Sequence, residues 1–235
     1  IVHEDKIIGE GFHRRCGEGH AEVNAVASVT HPELLPYSTI YVTLEPCSHY
    51  GKTPPCAQLI IDKKIPRVVI GTLDPFEKVS GRGVKMLQDA GCEVIHGILS
   101  NECKDLNPHF ITAHTMHRPF ITLKWAQSKD GFIDHVRTQS TSHAARFSSP
   151  TTSALVHKLR ATHDAILVGS NTVIKDNPGL DCRLWNGNNP TKVILDRNGI
   201  IPSSSKVFAN NPEKTIYFTS KKRIDLPKSV TQFIV

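Results

Sequence analysis

No run of apolar residues in this 235-residue chain approaches the roughly 20 that a membrane-spanning helix needs, and no signal-peptide pattern opens it. A membrane partner and a secretory route are therefore not expected. No Gly-x-Gly-x-x-Gly follows a strand-like run, which leaves a Rossmann domain without support. Six cysteines occur, at 16, 47, 56, 92, 103 and 182, but disulfide frameworks belong to short secreted chains. A reducing, cytoplasmic compartment is expected instead, with Cys47 and Cys56 on metal and the others mostly free. Basic runs are also scarce. Lys and Arg are scattered except at Lys221-Lys222-Arg223, which reads as a solvated loop, and no internal repeat is found.

What is present suits a packed protein. Charged residues make up 21% and hydrophobic ones 39%, a balance that permits a core and argues against disorder. The formal charge of +6, with thirteen histidines, suits an anionic ligand and also RNA, so charge alone decides neither. Strand-like and helix-like segments alternate, as in an α/β protein. The first series places strands at Ile40–Leu44, Arg67–Gly71 and Cys92–Gly97, and helices at Ala21–Val29, Ala57–Lys64 and Gly83–Gly91. Leu106–Arg118 reads as a connection, after which the pattern begins afresh. Its second series has strands at Phe120–Lys124, Ala165–Val168, Lys192–Leu195 and Thr215–Phe218, and a helix at Thr151–Ala161. Two domains are expected, 1–117 and 118–235. The chain opens inside an apolar pair, Ile1-Val2, and closes on Gln232-Phe233-Ile234-Val235, which reads as the middle of a strand. Both ends of a longer protein are expected beyond these points.

The chemistry concentrates in His20-Ala21-Glu22, Glu45-Pro46-Cys47 and Pro54-Pro55-Cys56. One imidazole and two thiolates, from His20, Cys47 and Cys56, are three ligands of a tetrahedral zinc, with the fourth position open as catalytic sites require. Glu22 is then the proton shuttle, its pKa raised toward neutrality for that work. Residues two apart on a helix point nearly opposite ways, so His20 and Glu22 can share a site only at a helix start. Cys56 likewise opens a helix, where the macrodipole favours a thiolate. The pattern is that of hydrolytic deaminases, His-x-Glu followed by Pro-Cys-x-x-Cys, except that eight residues rather than two separate the cysteines. The insert carries Ser48, His49, Lys52 and Thr53, donors and a cation suited to an anionic small substrate. A structural zinc knuckle lacks an obvious fourth ligand, although His49 stands near enough in sequence to close the site.

The stretches His20 to Ala25 and Thr43 to Cys56 closely resemble the bifunctional deaminase-reductases of bacterial riboflavin biosynthesis. The second half is also similar to that family, through Lys124-Trp125-Ala126-Gln127-Ser128-Lys129-Asp130-Gly131, the Ser149-Pro150 helix start, and Ala165 through Pro178. The resemblance implies a cytidine-deaminase-like α/β/α domain followed by a dihydrofolate-reductase-like α/β domain, the latter truncated at its C-terminus. It implies zinc deamination of a diaminopyrimidinone ribosylamino 5′-phosphate, then reduction of the ribosyl to a ribityl chain with NADPH. Carried over by motif, His13, His49, Lys52 and Asp74 are substrate-binding positions, with Lys52 for the phosphate. In the second domain Ala126, Thr172, Asp176 and Arg197 match cofactor positions, and Arg160, Leu180 and Arg183 match substrate positions. Lys124 and Asp176 are the polar groups expected where the ribose reacts. A homo-oligomer acting on a small molecule, with no nucleic-acid partner, completes the expectation.

Three departures stand out. Phe76 replaces an Asn that many relatives carry near Asp74, Phe132–Phe147 is longer than usual with Arg146 where a Trp is common, and the family's closing glycine-rich cofactor motif is absent. Two other readings compete. A tRNA adenosine deaminase fused to a structural or degenerate reductase-like domain predicts a short Cys-x-x-Cys loop and a basic strip, and neither is clear here. A binding module that keeps zinc only for stability predicts loss of the proton shuttle, yet Glu22 is present.

Overall fold

A computed structural model describes residues 1–50, 54–76, 80–137 and 144–235. The chain divides into two compact units, Ile1–Thr122 and Leu123–Val235.

In the first unit two short strands, β1 (Val2–His3) and β2 (Lys6–Ile7), form a hairpin at one edge of a sheet. The sheet continues through β3 (Thr39–Leu44), β4 (Arg67–Thr72) and β5 (Glu93–His96) in the order β2-β1-β3-β4-β5. β1 runs antiparallel to β3, while β3, β4 and β5 are mutually parallel. Parallel neighbours need a crossover, and helices supply it. α1 (Ala21–Ala27) precedes β3, α2 (Cys56–Asp62) joins β3 to β4, and α3 (Arg82–Asp89) joins β4 to β5. Ile40, Val68 and Ile70 of the strands bury against Leu35, Ile60, Ile65 and Leu87, each at most 2% exposed. At about 25 cal/mol per Å², each such side chain adds roughly 1.5–3 kcal/mol of burial. The expected elements lie within two residues of those observed, except over 106–118. There a helix, α5 (Pro108–Met116), follows α4 (Ser100–Asp105). Pro108 reads as a break, but at the first helical turn its missing N–H costs nothing, so it opens the helix instead.

Among its described residues the second unit holds four parallel strands in the order β6-β7-β8-β9: β6 (Ala165–Gly169), β7 (Thr191–Leu195), β8 (Thr215–Thr219) and β9 (Thr231–Ile234). Its longest helix is α6 (Pro150–Thr162), opened by Ser149, whose Oγ accepts the Thr152 N–H at 3.1 Å. α7 (Ser170–Asp176) follows β6, and α8 (Lys206–Ala209) lies between β7 and β8. Phe208 and Tyr217 meet edge-to-face in a core with Val173, Ile194, Ile201 and Val207. Lys192 is buried within β7 and donates its Nζ protons to the carbonyls of Val207, at 2.6 Å, and Asn210. The expected strand at Phe120–Lys124 is not formed, and Ile121 and Leu123 are exposed. A β-prone run becomes a strand only with a hydrogen-bonding partner, and none of the four strands takes it. No helix among the described residues is long and apolar enough to cross a membrane.

Candidate active sites

The first site forms at the carboxyl ends of β3 and β4, from which the chain leads directly to Cys47 and Asp74. His20 is the N-cap of α1, with extended backbone, so Glu22 falls in the first turn beside it. Cys56 is the first residue of α2. The segment leading to His20 lies directly on α1. A Cβ on Gly11 would overlap the backbone of Ala21 and Ala25, so only glycine allows that approach. Asn24 then donates its side-chain amide to the carbonyls of Phe12 (2.8 Å) and Gly19 (3.0 Å), which sets His13 and His20 with ring centroids 5.2 Å apart.

The His20 Nδ1 lies 3.6 Å from Cys47 Sγ and 3.4 Å from Cys56 Sγ, and the three donor atoms fall within 4.8 Å of one another. A tetrahedral ion with Zn–S near 2.3 Å and Zn–N near 2.05 Å has S···N edges of about 3.5 Å. The observed edges match it, so the donor set fits zinc in chemistry and in size. The backbone N–H of Cys56 donates to Cys47 Sγ at 3.3 Å, favouring the thiolate. Cys47 is pulled down to about 5, first by the hydrogen bond from the Cys56 thiol and also by His20. Cys56 is pushed up by that same bond, then by burial and the nearby Glu22. Two thiols this close share one proton unless a cation lies between them. Glu22 is buried, at 8% exposure, and burial pushes its carboxyl above the ordinary range, opposed by its own backbone N–H.

Asp74 is buried, accepts the Phe76 N–H at 2.8 Å, and is raised chiefly by burial. His49 and His114 draw it the other way, so both lie within electrostatic reach of it. His49 is itself exposed, and Lys52 lies outside the described residues. His114, from α5, packs its ring 5.1 Å from Phe76 and 4.5 Å from Phe110. Sequence reasoning missed His114 because it placed a connection where α5 stands. Phe76 thus meets an aromatic-histidine cluster. Asn24 was legible only as part of a motif; a side chain that clamps two carbonyls leaves no periodic signal.

In the second unit Arg160 and Arg183 are brought together with His157 and Asp181. Arg160 donates to the Asp181 carbonyl at 3.0 Å and approaches His157 Nε2 at 3.4 Å. The Arg183 backbone N–H donates to His157 Nδ1 at 3.1 Å, while its guanidinium pairs with the Asp181 carboxylate. Burial and the two arginines push the His157 imidazole down, toward its neutral form. Arg160 Nε is buried with no hydrogen-bond partner among the described residues. Leu180 is buried beside this group in a left-handed conformation (φ 55°).

Asp176 ends α7, and its carboxylate pairs with Arg137 at 2.7 Å. Arg137 also bridges to Asp134 at 2.6 Å and donates to the Lys175 carbonyl, tying part of the long 132–147 stretch to α7. Thr172 is exposed on α7, Ala126 half-buried, and Lys124 exposed. Arg197 is exposed immediately after β7 and, with Leu195, Asp196, Phe218 and Val235, lines a cavity of about 270 Å³ at the carboxyl ends of the strands.

Comparison with known proteins agrees with both halves. Residues 1–72 match the cytidine and deoxycytidylate deaminase zinc-binding region, and residues 119–232 match the RibD C-terminal domain. The riboflavin biosynthesis protein RibD of Aquifex aeolicus (strain VF5) is 43% identical over 223 residues, 94% of this chain and 61% of that protein. The RibD protein of Escherichia coli (strain K12) is 34% identical over 250 residues, 100% of this chain and 66% of that protein. Among solved structures, a Thermotoga maritima diaminohydroxyphosphoribosylaminopyrimidine deaminase / 5-amino-6-(5-phosphoribosylamino)uracil reductase is 41% identical with a TM-score of 0.87, over 100% of this chain and 66% of that one. Acinetobacter baumannii RibD is 35% identical, also with a TM-score of 0.87, over 100% of this chain and 65% of that one. The chain spans 58% to 66% of the length of the curated relatives named RibD from Bacillus amyloliquefaciens, Aquifex aeolicus and Escherichia coli. The cytidine-deaminase-like and dihydrofolate-reductase-like halves expected from the sequence are therefore both present.

Proposed function

Because the chain belongs to the RibD family across both of its units, we propose that it carries two consecutive reactions on one riboflavin precursor. The first is hydrolytic deamination of 2,5-diamino-6-ribosylamino-4(3H)-pyrimidinone 5′-phosphate. The second is NADPH-dependent reduction of the ribosyl group to a ribityl chain. The observation that carries the first is a His-Cys-Cys donor set at zinc spacing with a buried glutamate at the same helix start.

His20, Cys47 and Cys56 would hold zinc, which when bound supplies the Lewis acidity that ionises water near neutral pH. Glu22 takes a proton from the attacking water and delivers it to the amino group that departs as ammonia. A carboxyl raised by burial suits both halves of that transfer, because base and acid forms are then closer in free energy. Asp74, which His49 reaches electrostatically, and His13, beside His20, hold the pyrimidine together with His49, and Lys52 takes its phosphate.

In the second unit Arg160 and Arg183 bind the anionic substrate, with Leu180 packed beside it. Arg197, Thr172 and Ala126 hold NADPH, which supplies the reducing equivalent. Lys124 and Asp176 serve proton transfer at the ribose. The deaminase domain spans 1–117 and the reductase domain 118–235, and the protein acts in the cytoplasm as a homo-oligomer on a small molecule rather than on nucleic acid. The eight-residue insert between the cysteines favours that reading over a tRNA deaminase.

One assay tests both halves. Full-length, zinc-loaded protein is given the diaminopyrimidine and NADPH, with ammonia and absorbance at 340 nm followed together. Ammonia release followed by NADPH consumption is expected. Absence of ammonia overturns the deaminase assignment, and ammonia without NADPH oxidation overturns the reductase assignment. The same assay on Glu22→Gln should show zinc retained and ammonia release lost.

A further inference from the structure

Glu45 stands between the end of β3 and Cys47, is 3% exposed, and takes part in none of the ion pairs found among the described residues. A buried carboxylate of that kind is costly unless its oxygens are fully hydrogen-bonded. Here backbone N–H groups do it. Oε1 accepts from Gly83 (2.9 Å) and Val84 (3.2 Å), and Oε2 accepts from Asp74 (3.2 Å) and Gly81 (3.0 Å). Gly81 is the N-cap of α3 and has no side chain with which to cap it. Glu45 supplies the missing cap from another segment, and its charge meets the positive end of the helix. Gly83 permits the contact, since a Cβ there would overlap the carbonyl oxygen of Pro46.

The carboxylate therefore does more than end a helix. Through one oxygen it holds the backbone of Asp74, and two residues along its own chain stands Cys47. We propose that Glu45 is a positioning residue for deamination: it fixes the Asp74 carboxylate, a substrate contact, at a set distance from the Cys47 turn. Asp74 lies two residues beyond β4, and among the described residues its carboxylate accepts a hydrogen bond from the Phe76 N–H. This role rests on the deaminase reading of the site.

The test is a double-substitution cycle on the zinc-loaded full chain. Glu45→Gln keeps shape but turns one oxygen into an amide that repels the two N–H donors facing it. It should keep one zinc per chain and raise KM for the diaminopyrimidine about tenfold, more than it lowers kcat. Amide exchange at Asp74 or at Gly83 and Val84 should quicken, a readout independent of turnover. If Glu45 acts through Asp74, the same substitution made in an Asp74→Asn background changes KM by less than about twofold. Additive KM effects, or zinc lost together with activity, overturn the proposal. Should Glu45→Gln fail to fold, Glu45→Asp, one methylene shorter, carries the same cycle. Absence of ammonia release already in the wild type overturns the deaminase reading and this role with it. Release by the wild type with additive variants overturns this role alone.

Discussion

Cys56 donates its backbone N–H to the Sγ of Cys47 at 3.3 Å, so one metal donor is oriented by the backbone of another. The bond links the end of β3 to the first turn of α2, across the eight-residue insert that separates the two cysteines. Both sulfurs lie within 3.6 Å of His20 Nδ1, although eight residues separate them in sequence.

The first prediction concerns the donors themselves. Cys56→Ser keeps the backbone N–H to Cys47 but replaces a thiolate with a neutral hydroxyl. Zinc affinity should fall by more than about 100-fold, beyond the roughly 10- to 100-fold typical of losing a partner that only orients a ligand. Competition against a chromophoric chelator measures it. Retention of near-native affinity would remove Cys56 from the donor set.

Asn24 offers the contrasting case. Its side chain holds the carbonyl of Gly19, adjacent to His20, and that of Phe12, adjacent to His13, while its backbone N–H donates to the His20 carbonyl at 3.1 Å. Asn24→Ala should weaken zinc binding by about tenfold, as expected for an orienting partner, and raise KM for the pyrimidine as His13 loosens. The same chelator competition and steady-state ammonia release check both effects. A variant with unaltered zinc affinity and KM would confine Asn24 to a packing role.

The arginine pair of the second unit gives a prediction separable from the first. Arg183 is exposed and tethered by Asp181, while Arg160 is half-buried and its Nε has no hydrogen-bond partner among the described residues. Arg183→Ala should raise KM for the deaminated ribosyl phosphate at least about tenfold with kcat little changed, the mark of lost uniform binding. Deamination by the first unit should be untouched. Stopped assays of NADPH oxidation against substrate concentration decide it, and an effect on kcat alone would contradict a binding role.

These residues differ in how far the sequence alone exposes them. His20, Glu22, Cys47 and Cys56 are legible because metal ligands must sit at strand and helix ends, where proline and glycine mark the boundaries. The parallel strands are legible because each is a short run rich in Val, Ile and other β-formers, even where, as in β6, alternate residues stay exposed. Glu45, Asn24 and His157 are not, because each acts by bonding to backbone atoms brought near only by the fold. The helix α5 was hidden by Pro108 at its start, and the Phe120–Lys124 run misleads because β propensity says nothing of whether a partner strand exists. Lys52, expected at the phosphate, lies outside the described residues.

The last prediction reads the second core through pH. Tyr217 is fully buried in β8 and donates its phenolic proton to Asp196 Oδ2 at 2.6 Å, while Asp196 also accepts the N–H groups of Ile200 and Ile201. This network braces the turn that carries Arg197. Burial, and then the bond to Asp196, push the Tyr217 phenol up to about 12, whereas an unfolded tyrosine titrates near 10. The native state thus holds a proton that the unfolded state releases first. Its stabilising contribution is complete below about pH 10 and is lost as pH rises from there toward about 12. Tyr217→Phe should cost about 1–3 kcal/mol at neutral pH, because Asp196 loses a donor in a buried site. It should also flatten the alkaline decline relative to the wild type. Urea unfolding of both proteins at pH 8 and above pH 10 measures the difference, which cancels other groups that titrate in the same range. An equally steep decline in the variant would show that the alkaline loss arises elsewhere.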